Sequence, residues 1–203
     1  MTLESHWDGV FARKSDAETS WYQDDPEPSL GLILAHRRQA ERGVVDIGAG
    51  RAFLADRLIA EGLRDIALVD LSQTALSQVR ARLRGAELQL SYIVADASDW
   101  QPPRKWGVWH DRAAFHFLTD PAAQQGYRAA LLAGTEPGSI VIIATFAENG
   151  PTSCSGLPVQ RHSADSLSSV LGARFRILAS RRVPHQTAAG ALHLFRYSTF
   201  NRL

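Results

Sequence analysis

The chain has 203 residues, 45 % hydrophobic and 21 % charged, with a formal net charge of +1, enough for one domain that buries roughly 70 % of its unfolded surface. That balance gives no support for a nucleic-acid partner, which would show a clustered basic excess, and no apolar run approaches the ~18 residues that cross a bilayer. Cys154 is the only cysteine, which excludes an intrachain disulfide or a cysteine-based metal framework. No His, Cys or carboxylate set has metal-ligand spacing. The first residues show no signal-peptide core and are too acidic for a transit peptide, so the expected setting is cytoplasmic.

Residues 1–42 are read as an N-terminal helical segment. Beyond it, short apolar runs alternate with helix-period segments. The stretch "GVVDIGAG", residues 43–50, reads as a buried strand ending in glycines. The next segment, "RAFLADRLIAEG", puts Phe53, Leu54, Leu58 and Ile59 on one helical face before Gly62 stops it. A second strand, "IALVDLS", leads into the helix "QTALSQVRARLRG", with Ser72 as N-cap and Gly85 as terminator. "LQLSYIVAD" is expected as the third strand and "WGVWHD" as the fourth. Pro121 opens a helix through "AAQQGYRAALLAG", and "GSIVIIATFA" is the fifth strand. After Gly150 come a loop rich in Gly, Pro and Ser, a helix "ADSLSSVLGA", and two strands around "QTAAG" that read as an antiparallel pair.

This rhythm predicts an α/β fold: a doubly wound, mostly parallel seven-stranded sheet with an antiparallel last strand and helices on both faces. No internal repeat or linker divides it, so a single domain over residues 1–203 is expected.

The sharpest local signal is "VVDIGAGRAFLADRL". A strand that ends in Gly48-x-Gly50 and turns at once into a helix lets the backbone approach a ligand and aims the helix N-terminus at it. Asp70, at the end of the second strand, is placed to accept both hydroxyls of a ribose. Three nucleotide readings compete. A phosphate loop lacks its Gly-Lys-Ser/Thr. A dinucleotide site wants a small residue where Phe53 stands. A site for S-adenosylmethionine (SAM) adds an acid at the end of strand three, which Asp96 supplies.

The motifs "VVDIGAG", "LVDLS" and "VADASDW" resemble the Rossmann-like core of class I, seven-strand SAM-dependent methyltransferases, and the antiparallel ending is similar too. Ala52 departs from the third glycine of many members. The resemblance implies SAM as cofactor and S-adenosylhomocysteine as product. It places Asp46, Gly48 and Gly50 at the methionine portion, Asp70 and Leu71 at the ribose, and Asp96 and Ala97 at the adenine. Residues 1–42 would be a lid over the core of residues 43–203, with Trp21 and Tyr22 covering SAM or simply packing an N-terminal helix.

The end of strand four, "WHDRAAFHF", should deliver side chains to the transferred methyl. Asp111 is expected to face the cleft as a substrate or SAM contact, with His110 on the other side of the strand. His116 is read either as a general base or as a packing residue among Phe115, Phe117 and Leu118. Arg112 either pairs with Asp111 or binds an anionic group. "WHDRAAFHFLTDPAAQQGYRAAL" and "LPVQRHSADSL" resemble thiopurine and thiol methyltransferases. "WDGVF" with "SWYQ" is equally similar to small seven-strand protein-lysine methyltransferases. The expected function is methyl transfer to a small-molecule nucleophile, a thiol or other soft acceptor. The alternatives are a protein-lysine methyltransferase and a non-catalytic SAM- or nucleotide-binding module.

Overall fold

The structure is a computed structural model that describes residues 2–85 and 89–203. Its helices and strands follow in chain order. Helices α1 (Leu3–Arg13), α2 (Ser29–Leu34) and α3 (Arg37–Ala40) precede strand β1 (Val44–Ile47). Then come α4 (Leu54–Ala60), β2 (Asp65–Asp70), α5 (Gln73–Arg82), β3 (Gln89–Val94) and β4 (Val108–Arg112). They are followed by α6 (Pro121–Ala133), β5 (Ile140–Phe146) and the short pair β6 (Ser153–Cys154) and β7 (Leu157–Pro158). Helix α7 (Ala164–Leu171) and strands β8 (Phe175–Gln186) and β9 (Leu192–Arg202) complete the chain. Leu88, the expected first residue of the third strand, lies outside the described residues.

The main sheet has seven strands in the order β3-β2-β1-β4-β5-β9-β8. Pairing is parallel from β3 to β5, and β9 runs antiparallel to both β5 and β8. The predicted mostly parallel sheet with an antiparallel ending is therefore present. The order reverses between β1 and β4, which opens a crevice at the carboxyl ends of those strands.

The sheet is buried on both faces. Val44, Leu68, Val108 and Ile142 pack with Leu30 and Ile33 of α2 and Leu54 and Leu58 of α4. Val45, Val69, Trp109 and Val141 pack with Tyr127 and Leu131 of α6 and Leu167 and Leu171 of α7. The start signals predicted for α5 and α6 are present. The Ser72 side chain accepts from Ala75 N–H and Pro121 occupies the first turn of α6, as expected, while Asp120, for which no role was expected, caps α6 by accepting from Ala123 N–H. Helix α4 starts three residues later than expected, because residues 51–53 finish the glycine turn.

Two local features tighten the crevice. Gly126 lies in mid-helix, where a Cβ would sit 1.7 Å from the Ser98 carbonyl oxygen, so α6 packs directly on the loop after β3. The loop after β5 was expected to be irregular but contains the β6–β7 hairpin. Ser155 and Gly156, at φ 51° and 78°, form its turn with the positive φ at both central residues that tight hairpins favour. Among the described residues no helix is long and apolar enough to cross a membrane.

Candidate active site

A cleft of about 390 Å³ opens at the carboxyl ends of β1, β2, β3 and β4, within the size range of small-molecule sites. The glycine turn forms its floor. Gly48 and Gly50 have φ of +64° and +52°, and a Cβ on Gly48 would lie 2.5 Å from the Ala114 Cβ. Glycine is thus required twice over, by conformation and by space. Opposite the turn, Ala113 is held at φ 67°, a strained value for a residue with a Cβ.

Asp70 ties the turn to β2. Its carboxylate accepts from Gly50 N–H and from Ser72 N–H, each at 2.8 Å. Burial nevertheless pushes its pKa up to about 6, against those two hydrogen bonds. Leu71 and Ala97 line the cleft beside it, and Asp96, whose carboxylate accepts from Ser98 N–H and Oγ–H, borders the far end.

The predicted cofactor residues Asp46, Gly48, Gly50, Asp70, Leu71, Asp96, Ala97, Trp21 and Tyr22 all line this one cleft. They offer a glycine turn, a buried carboxylate at Asp70 and a second carboxylate at Asp96, donor and acceptor chemistry that a nucleoside cofactor such as SAM can use.

The expectations for β4 are corrected. Asp46 and His110 are paired in register on neighbouring strands, so their side chains share a face. His110 Nδ1 donates to the Asp46 carboxylate at 2.7 Å, and its Nε2 is hydrogen-bonded with Ser29 Oγ at 2.8 Å. His110, expected on the other side, therefore lines the cleft with Asp46 and Ser29. Asp111 points into the opposite core, is fully buried and is not among the cleft residues.

There Asp111 accepts from Ala114 and Phe115 N–H at 3.1 Å and from Tyr127 O–H at 2.9 Å, while Trp109 Nε1–H donates to the Tyr127 oxygen. Burial raises its pKa to about 6. Asp111 thus fixes the turn that presents Ala113 and Ala114 to the cleft, and touches no ligand space itself.

His116 does not reach the cleft either. It is fully buried between Phe117 and Phe146, with ring centroids at 4.5 and 4.7 Å, and its Nδ1 accepts from Phe146 N–H at 3.4 Å. Burial first, then the charges of Arg112 and His162, pushes its pKa down to about 3. A ring that resists protonation and faces a packed core cannot take a proton from a substrate in the cleft. Its place as a packing residue follows from Phe117 and Phe146 enclosing it.

The roof comes from the N-terminus and was only partly anticipated. Trp7 and Phe11, one helical turn apart on α1, face the cleft. Trp7 meets Phe117 edge-on at 5.1 Å and Trp21 at 5.8 Å. Helix α1 is fastened at two points. Asp8 accepts from Ser72 Oγ–H at 2.6 Å and Thr74 N–H at 3.0 Å, at the start of α5 where a carboxylate is favoured. Arg51, from the glycine turn, pairs with Asp16 at 2.8 Å and donates to the carbonyls of Phe11 and Lys14. Cys154 of β6 closes the remaining wall, with burial raising its thiol pKa.

The strand order and the cleft at its switch point are those of a Rossmann-like fold that SAM-dependent methyltransferases share. Residues 44–133 match the family model for a methyltransferase domain, and the cofactor of this fold is S-adenosylmethionine.

Solved structures agree over the whole chain. One comes from a study of the conversion of a disulfide bond into a thioacetal group during echinomycin biosynthesis. It is 21 % identical, with 98 % of this chain and 93 % of that chain covered and a TM-score of 0.77. A second is the 1,6-didemethyltoxoflavin-N1-methyltransferase of Burkholderia thailandensis, bound to 1,6-didemethyltoxoflavin and S-adenosylhomocysteine. It is 20 % identical, covers 99 % and 85 %, and has a TM-score of 0.70. A third is the N-methyltransferase NodS of Bradyrhizobium japonicum in complex with S-adenosylhomocysteine, 11 % identical over 97 % and 98 %, with a TM-score of 0.67. No curated protein matches the sequence.

Proposed function

We propose that this protein methylates a small-molecule nucleophile, a thiol or other soft acceptor, with the part of the expected 1–42 lid that runs from α1 to Tyr22 covering the cleft and α2 and α3 belonging to the core. The observation that carries this reading is the acceptor end of the cleft, enclosed by Trp7, Trp21, Phe117 and Cys154. It is walled on one side by the twice-fastened α1 and on the other by the β6–β7 hairpin.

When bound, SAM supplies a methyl group already activated on a sulfonium centre. The chain's own task is then to hold the nucleophile in line and exclude water. No unengaged base stands at that end, since His110 is tied to Asp46 and Ser29 and His116 lies in the core. An acceptor that is nucleophilic without a base, as a thiol is near neutral pH, suits such a site.

Asp46, Gly48, Gly50, Asp70, Leu71, Asp96 and Ala97 hold the cofactor in this reading, and Trp21 and Tyr22 cover it. The Glycopeptide N-methyltransferase MtfA shares the fold at 15 % identity and a TM-score of 0.63, so the fold itself leaves the acceptor open.

A screen with methyl-labelled SAM distinguishes the readings. Label should pass to small thiols and not to lysine peptides. Transfer to the peptides instead would support the protein-lysine reading. Binding of S-adenosylhomocysteine without transfer to any thiol, phenol, halide or peptide would mark a non-catalytic module.

A further inference from the structure

Arg112 is a cation whose charge nothing in the described structure answers. It lines the cleft from β4, on the same face as His110. Its Nε donates to Tyr197 Oη at 3.0 Å and one Nη donates to the Trp21 carbonyl at 2.9 Å. The guanidinium carbon lies 4.9 Å over the Phe195 ring. The other Nη is buried with no hydrogen-bond partner, and Arg112 forms no ion pair among the described residues. The expected pairing with Asp111 does not occur, because Asp111 lies across the sheet.

The remaining cleft groups cannot supply the missing charge. Asp16 is paired with Arg51, Asp46 with His110, and Asp70 and Asp96 accept from neighbouring backbone N–H groups. Asp120 caps α6. The Arg112 charge acts on His116, His185 and Cys154, none of them a carboxylate. A half-buried guanidinium with neutral hydrogen-bond partners keeps a desolvation cost that an anion would offset. Its planar fork is the geometry that binds a carboxylate.

The position of Arg112 separates it from the nucleotide end. Its side-chain contacts with Tyr197 and Phe195 of β9 place it on the β5–β9 side of the crevice. Asp70 and Asp96 lie on the other side, at β2 and β3. Trp7, Trp21, Phe117 and Cys154 line the same cleft, its rings meeting edge-on, so Arg112 is a cationic group on an aromatic and apolar lining.

We infer that the acceptor is a planar or aromatic molecule carrying a carboxylate or similar anionic group, and that Arg112 binds that group. This rests on the reading of the cleft as a methyltransferase site with its acceptor between the aromatic side chains. The same residue disfavours a lysine acceptor, whose cation would be brought up against another.

The test uses 2-mercaptobenzoate and the neutral 2-mercaptobenzamide as probes. Their affinities for the full chain, saturated with S-adenosylhomocysteine, are measured through tryptophan fluorescence. The wild type should bind the carboxylate at least about tenfold more tightly than the amide, as expected for one charge-assisted contact. Arg112→Gln should abolish that preference, and Arg112→Lys should restore part of it, with affinity for S-adenosylhomocysteine held within about twofold.

Equal affinity for the two probes, failure to bind either, or a preference that survives in Arg112→Gln would overturn the inference. A matching loss of S-adenosylhomocysteine affinity in Arg112→Gln would assign the guanidinium to the carboxylate of the cofactor's methionine instead, and overturn it as well. If the wild type binds the thiols but not S-adenosylhomocysteine, the underlying reading of the cleft fails. A failure confined to Arg112 leaves that reading standing.

Discussion

Replacing Asp70 by Ala should weaken SAM binding by one to two orders of magnitude, on the order of 1.5–3 kcal/mol for a lost charge-assisted hydrogen bond. Two effects add. The carboxylate proposed to hold the ribose disappears, and the N–H groups of Gly50 and Ser72, which it accepts at 2.8 Å, lose their partner. The glycine turn would then loosen at the point where it must lie flat against the ligand.

The raised pKa of about 6 adds a pH signature. Above pH 6 the group is a carboxylate and accepts hydrogen bonds freely. Below it, protonation turns one oxygen into a donor, so wild-type affinity should fall as the pH drops towards 5. Isothermal titration calorimetry of both proteins at several pH values checks this. An Asp70→Ala protein that binds as tightly as the wild type would show that this acid does not hold the cofactor.

Acid should destabilise the fold through His116. The folded pKa is about 3, against an ordinary value of 6.5. Above pH 6.5 neither the folded nor the unfolded chain binds this proton, and the stability contribution is whole. As the pH falls below 6.5 the unfolded chain takes up the proton and the folded one does not, so stability is lost progressively down to about pH 3. Between pH 6.5 and 5 the loss is about 2 kcal/mol.

Asp70 and Asp111 act in the opposite sense. Their folded pKa values, about 6 against 3.8, favour the fold as the pH falls from 6 towards 4. The His116→Asn variant keeps an acceptor for Phe146 N–H and removes the titrating ring. Urea denaturation at pH 7 and pH 5 should therefore show a smaller loss in His116→Asn than in the wild type, by about 2 kcal/mol. Equal losses in the two proteins would contradict the buried, neutral state of His116.

Much of the glycine-turn side of the cleft was legible because its signals are local. Gly48, Gly50 and Asp70 belong to one strand–turn–helix–strand unit, and each residue type is demanded by backbone geometry or ligand chemistry within that unit. The sidedness of β4 was not legible. In a doubly wound sheet both faces are buried, so Val108, His110 and Arg112 read as core as readily as Trp109 and Asp111. Only the pairing of Asp46 with His110 decides which set faces the crevice, and strand register is a long-range property.

Other features left a trace that carries weight only in hindsight. Trp7 and Phe11 have the i, i+4 spacing of one helix face, but what that face covers depends on how the N-terminus folds back. Gly126 in a helix interior signals a close approach, here to Ser98. Ser155-Gly156 is a turn dipeptide, and it makes the hairpin that brings Cys154 to the cleft. Ser29 gave no sign of its role, since its bond to His110 spans 81 residues.

The most direct measurement is calorimetric titration of the full chain with SAM and with S-adenosylhomocysteine. Saturable binding of both to one site is the expected result, weakened together in Asp70→Ala. No heat of binding from either ligand at high micromolar concentration would contradict the assignment of this cleft to the cofactor.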